Sequence, residues 1–108
     1  MNLMLATLTD LFNNIPRRHS IDNVKLIYEI TAQYEDALIA IEGINTFYEK
    51  NVGVFFDELE IIKQGVKKST DGKASKKNKD VLFDQASSML KESVERMMVV
   101  YGDGNRRD

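Results

Sequence analysis

The chain has 108 residues, 43% hydrophobic and 30% charged, with a net charge of −2 at pH 7. It contains no Cys and one His, which excludes disulfides, thiol catalysis, thiolate metal sites and any multi-His metal site within one chain. That size and balance read as one soluble, cytoplasmic domain over residues 1–108, and no apolar run approaches the ~18 residues that span a bilayer, so no membrane partner is expected.

The charge is unevenly spread. Residues 1–20 carry +1, and residues 21–66 carry nine acids against three bases. Residues 67–79 carry six Lys against Asp71, and residues 80–108 carry six acids against four bases. One basic segment therefore lies between two acidic stretches.

The opening MNLMLATLTDLF has no basic start and is interrupted by Asp10, so it reads as mature protein rather than a signal peptide. Residues 2–14 are predicted as a first helix. Met4, Leu8, Leu11 and Ile15 form one line with Leu5 and Phe12 beside it, and Pro16 stops it. Its polar face lacks Lys and Arg, unlike a membrane-surface helix. Arg17-Arg18-His19-Ser20 is a connector in which Ser20 serves as N-cap and Asp22 suits the first turn of the next helix. His19 has no marked orienting partner, so no catalytic role is assigned to it.

The main helix starts at Ile21. Ile27, Ile30, Tyr34, Ala37, Ile41, Ile44 and Tyr48 recur in alternating steps of three and four, the seam of a helix packed along its length. The stripe continues as Val52, Phe55, Leu59, Ile62 and Val66, joined by one step of four. Two architectures follow. A break between residues 43 and 53, with Thr46 and Glu49 as a capping box, gives an all-α antiparallel bundle of three or four helices. A continuous helix from 21 to about 67 instead builds the fold around one long element and leaves apolar surface for a homodimer to cover. The break is favoured on length.

Gly65 is read as the start of the exit from that region. Residues 67–79, KKSTDGKASKKNK, hold no large apolar side chain and are predicted as a flexible loop. Asp80 is expected to cap a last helix running to about Tyr101. Leu82, Ala86, Met89, Met97 and Val100 make one apolar line, and Phe83, Leu90, Val94 and Tyr101 a second. Gly102 or Gly104 is expected to end it, leaving residues 103–108 as a frayed tail.

No residue set specifies a reaction, a metal or a cofactor. Glu35, Asp36, Glu42, Asp57, Glu58 and Glu60 are the candidates for a Mg²⁺-dependent all-α nucleotide hydrolase, which requires them to converge on one inward face. Lys67, Lys68, Lys73, Lys76, Lys77 and Lys79 are the candidates for sequence-independent contact with nucleic-acid phosphates, together with Arg17 and Arg18. The leading expectation is a helical protein–protein interaction module, a regulator, adaptor or self-associating coiled-coil-like protein, with no catalytic site. Tyr34 and Tyr48 are the candidate partner-binding residues, because aromatics are enriched at interface hot spots; the same residues also fit as seam residues of the core.

Overall fold

The structure, a computed structural model, describes residues 2–105. Those residues form five helices and no strand. The first, α1 (Leu3–Asn14), is capped by Asn2, whose Oδ1 accepts the Leu5 N–H at 3.1 Å. It ends at Ile15, directly before Pro16. The second, α2 (Ile21–Glu42), starts where Ser20 Oγ accepts the Asn23 N–H at 3.0 Å, with Asp22 in the first turn. These caps satisfy backbone donors that have no intrahelical partner.

The break between residues 43 and 53 is present, and the continuous helix from 21 to 67 does not form. A short α3 (Thr46–Asn51) separates α2 from α4 (Gly53–Ser69). The cap of α3 is Asn45, which accepts the Tyr48 N–H at 3.0 Å; Thr46 is the first helical residue and not the predicted cap. Between α3 and α4 the chain stays tightly bonded, Val52 N–H to Tyr48 C=O and Phe55 N–H to Val52 C=O, both at 2.9 Å. The step of four in the apolar pattern therefore marks a corner, and it keeps Tyr48, Val52 and Phe55 all facing inward. Ile44 departs from the predicted seam and is exposed. Helical spacing no longer directs it once α2 has stopped at Glu42.

The basic segment is mostly helix, not the predicted 67–79 loop. Only residues 70–75 lie between helices. Gly65 sits within α4, and α5 (Lys76–Asn105) begins four residues before Asp80. Ser75 takes the capping role, its Oγ accepting the Asn78 N–H at 3.2 Å. Lys is a good helix former, so the absence of apolar residues marked solvent exposure rather than loop. At the other end α5 passes through both Gly102 and Gly104. Residues 103–105 of the expected frayed tail are helical; 106–108 lie outside the described residues, as does Met1.

Side-chain pairings fix the directions of the long helices. Thr9 reaches Met98 and Asn2 reaches Tyr101, so α1 runs antiparallel to α5. Glu58 meets Ser93 and Gly65 lies against Ala86, so α4 runs against α5. His19, just before α2, meets Phe83 and Tyr34 meets Ser93, so α2 and α5 run the same way and α4 runs against both. The 30-residue α5, about 45 Å long at the helical rise, accounts for most of the 50 Å long dimension of a body 25 by 17 Å across. One connected core draws on all five helices, with Leu8, Ile27, Leu38, Tyr48, Leu59 and Leu90 fully enclosed.

Candidate functional site

Tyr34 and Tyr48 do not face a partner. Both are 0% exposed. Their positions on the inward seam bury the rings, and their hydroxyls are used internally. Tyr34 Oη lies 2.9 Å from Ser93 Oγ, and Ser93 donates to Glu58 Oε1 at 2.9 Å. Since the single Ser93 hydrogen goes to Glu58, Tyr34 must be the donor to Ser93. Glu58 Oε2 meets Arg96 Nη2 at 2.6 Å, and the Arg96 guanidinium lies 5.8 Å from the Phe55 ring centre. A buried phenol is thus linked in three steps to a cation at the surface. Burial pushes the Tyr34 phenol well above its ordinary range; the Ser93 hydroxyl acts in the opposite sense, Glu58 adds to the rise and Arg96 opposes it.

Tyr48 closes the far end. Its hydroxyl donates to the Tyr101 carbonyl at 2.5 Å and lies 3.2 Å from Asn105 Oδ1, and its ring stacks on Tyr101. The Tyr101 hydroxyl in turn donates to Asn2 Oδ1 at 3.0 Å, tying α5 to the start of α1. Gly104 lies against the Tyr48 ring so closely that an added Cβ would overlap it. Both tyrosines are core pieces that hold helices in register, which is the structural role the seam itself implies.

The acidic residues do not assemble a hydrolase site. Among the described residues no group of three His, Cys, Asp or Glu side chains converges as a cation would require. Glu35 is committed to Lys63 at 2.9 Å, with Glu60 also 3.6 Å from that ammonium. The hydrogen bond that Lys63 donates to Glu35 is the main cause that raises the Lys63 pKa. Glu58 is committed to Ser93 and Arg96. The fully buried side-chain polar atoms among the described residues are all hydrogen-bonded.

Two surface features remain. The first is a groove of about 530 Å³ between α4 and α5. Gly65 and Ala86 form its narrow floor: a Cβ on Gly65 would stand 3.2 Å from that of Ala86. Ile61, Leu82 and Met89 make apolar walls, and Glu60, Gln64, Lys68 and Gln85 make a polar rim. Ile61 is 59% exposed. In the sequence, the signal for this groove was the doubled apolar face of α5. The Phe83–Leu90–Val94–Tyr101 line fills the core together with Ala86 and Met97 of the other line, and Leu82 and Met89 are left half-buried at its edge.

The second feature is a basic end. Lys67 and Lys68 close α4, Lys73 lies in the turn, and Lys76, Lys77 and Lys79 open α5. The α1–α2 connector sits beside them: Arg17, Arg18 and His19 share a cavity of about 460 Å³ with Lys76, Asp80 and Asp84. His19 and Lys25 share a second one with Thr70 and Lys79. The structure thus brings the arginines and the lysines together across about fifty residues of sequence. His19 itself is used in packing, edge-on to Phe83 with ring centres 5.7 Å apart. Comparison of the chain with protein-family models, with curated proteins and with solved structures finds no match in any of the three.

Proposed function

We propose that the chain is an antiparallel helical bundle, with α3 as its corner, that works as a protein–protein interaction module through the α4–α5 groove. The observation that carries this reading is the exposed Ile61, with half-buried Leu82 and Met89, beside a floor of two small residues. Two packed helices leave a furrow between them, and an amphipathic helix fills such a furrow with apolar residues at i, i+3, i+4 and i+7. The lining runs from Leu82 to Met89 along α5, about 10 Å at the helical rise, which fits about two turns of a partner helix. The polar rim suits the edge of an interface, where water is kept.

The occupant is a helix of a protein partner. A second copy of the chain is such a partner, and one observation favours it. Ile61 projects from the wall of its own groove, next to the floor at Gly65, so a two-fold contact seats ridge on furrow reciprocally. The earlier reason to expect a homodimer was a long helix with uncovered apolar surface, and that reason disappears with the break at residues 43–53. No helix among the described residues is long and apolar enough to cross a membrane; a cytoplasmic setting rests on the Cys-free composition.

The test is a nuclease-treated pull-down with the native chain, Ile61→Glu and Ile39→Glu. Ile39 is similarly exposed but lies on α2, outside the groove. A stoichiometric protein partner held by the native chain and by Ile39→Glu, and weakened by roughly tenfold or more by Ile61→Glu (about 1.4 kcal/mol), supports the reading. Equal retention by both variants refutes the groove. Sedimentation of the isolated chain, with and without Ile61→Glu, decides whether the partner is a second copy.

A further inference from the structure

The basic end has properties that a merely soluble surface does not need. Residues 17–25 and 67–84 carry nine cations against four acids, a net of +5. The remaining described residues carry four cations against twelve acids, a net of −8. The cations are thus gathered where α1 meets α2 and α4 meets α5, and the acids are spread over the rest of the 50 Å body.

The cations inside and outside the basic end are also used differently. Of the four cations outside the basic end, Lys63 and Arg96 sit in ion pairs and Lys91 lies over the Phe12 ring, with Lys50 the exception among the described residues. Among the described residues, none of the nine cations at the basic end makes an ion pair or a ring contact. Arg17, Arg18 and Lys76 line one cavity with Asp80 and Asp84 and still form no pair within 4.0 Å. Lys76, Lys77 and Lys79 stand in the opening turns of α5, which hold no acidic residue in the first turn. That is the positive end of the helix dipole, where Lys is disfavoured and anions are favoured. Lys suits a helix by propensity, but at this end the dipole favours an anion beside it rather than a cation.

We propose that this end binds the phosphate backbone of a nucleic acid, without reading its sequence. The Arg17–Arg18 connector supplies guanidinium forks that match phosphate oxygens, and the lysines supply point charges around them. An end face of 25 by 17 Å spans roughly ten to fifteen phosphate charges of a duplex, at one charge per about 1.7 Å of axis. The acidic flanks repel the same polyanion, so contact is end-on and confined to about five phosphates, the net charge of the end. Few apolar residues stand beside the cations, Ile21 and Val81 being the exposed ones, so the surface lacks the apolar face by which a helix settles into lipid.

The experiment is fluorescence anisotropy with a labelled 30-base duplex and a labelled single strand of mixed sequence, between 50 and 200 mM salt. The native chain is compared with Arg17→Gln/Arg18→Gln, with Lys76→Gln/Lys77→Gln/Lys79→Gln and with Lys50→Gln, an exposed cation outside the basic end. Circular dichroism checks that each is folded. With about five phosphates neutralised, the affinity of the native chain falls by about 500-fold across that range. With two contacts removed in the arginine variant, it falls by only about 40-fold. Lys50→Gln matches the native chain, and Ile61→Glu does too, so this proposal and the groove reading fail separately. Absence of binding at 50 mM salt overturns the proposal. So does an unchanged salt dependence in both multiple variants. Binding of phosphatidylserine vesicles or of polyglutamate as tight as that of nucleic acid also overturns it, in favour of a lipid surface or an acidic protein.

Discussion

Removing either member of the Tyr34–Ser93 bond should have unequal costs, and the asymmetry follows from which group donates. Ser93 gives its hydrogen to Glu58, so Tyr34 donates to Ser93. Tyr34→Phe removes the donor and leaves Ser93 still bonded to Glu58. The loss is one hydrogen bond, about 1 kcal/mol. Ser93→Ala leaves the Tyr34 hydroxyl at 0% exposure with its hydrogen-bond acceptor gone. An unsatisfied buried donor costs about 1–3 kcal/mol, and Glu58 loses a donor as well. Ser93→Ala is therefore the more damaging by about 1 kcal/mol. In the double variant the stranded hydroxyl is absent, so it is less destabilised than the two single losses added together, with a coupling of about 1 kcal/mol. For a chain of this size that is about 4 °C in Tm. Urea unfolding followed by circular dichroism measures all four corners. If Tyr34→Phe proves costlier than Ser93→Ala, or the two losses simply add, the assigned donor direction is wrong.

Other outcomes are testable in the same way. Gly104→Ala should destabilise the chain by about 1–3 kcal/mol, because its Cβ overlaps the enclosed Tyr48 ring. Gly102→Ala, one helical step away with open space around it, should stabilise it by up to about 1 kcal/mol; thermal melts of the pair give opposite signs. Ser20→Ala should cost about 1 kcal/mol through loss of the cap on α2, read from the shift in urea midpoint. Stability should also respond to alkali. The folded Tyr34 phenol titrates above its unfolded value of 10.0, so its contribution is fully present below pH 10 and is lost as pH rises through the folded value. Urea midpoints measured from pH 8 to 11.5 should fall at the alkaline end, and less steeply in Tyr34→Phe.

The sequence by itself determined that the chain is all-helical and which faces of its main stripe turn inward. The three-and-four spacing from Ile27 to Val66 turns inward at all but Ile44, because periodicity is a local property and needs no knowledge of the neighbour. Ser20 and Pro16 likewise act within one turn of themselves. Tertiary structure decided what local pattern cannot contain. The apolar stripe was equally compatible with a straight helix and a corner, and it was the packing of α4 along both α2 and α5 that required the corner. Tyr34 and Tyr48 fitted both a partner-binding surface and the core seam; their hydroxyls found partners 59 and 53 residues away, which allowed full burial. Gly102 and Gly104 read as a helix end, but α5 continues because the Tyr48 ring, brought from another helix, needs the bare Gly104 surface. The groove needs two small residues, Gly65 and Ala86, to meet from different helices. The basic end needs Arg17 and Arg18 folded beside lysines about fifty residues on. Each depends on distance in space between residues remote in sequence, which periodicity does not encode.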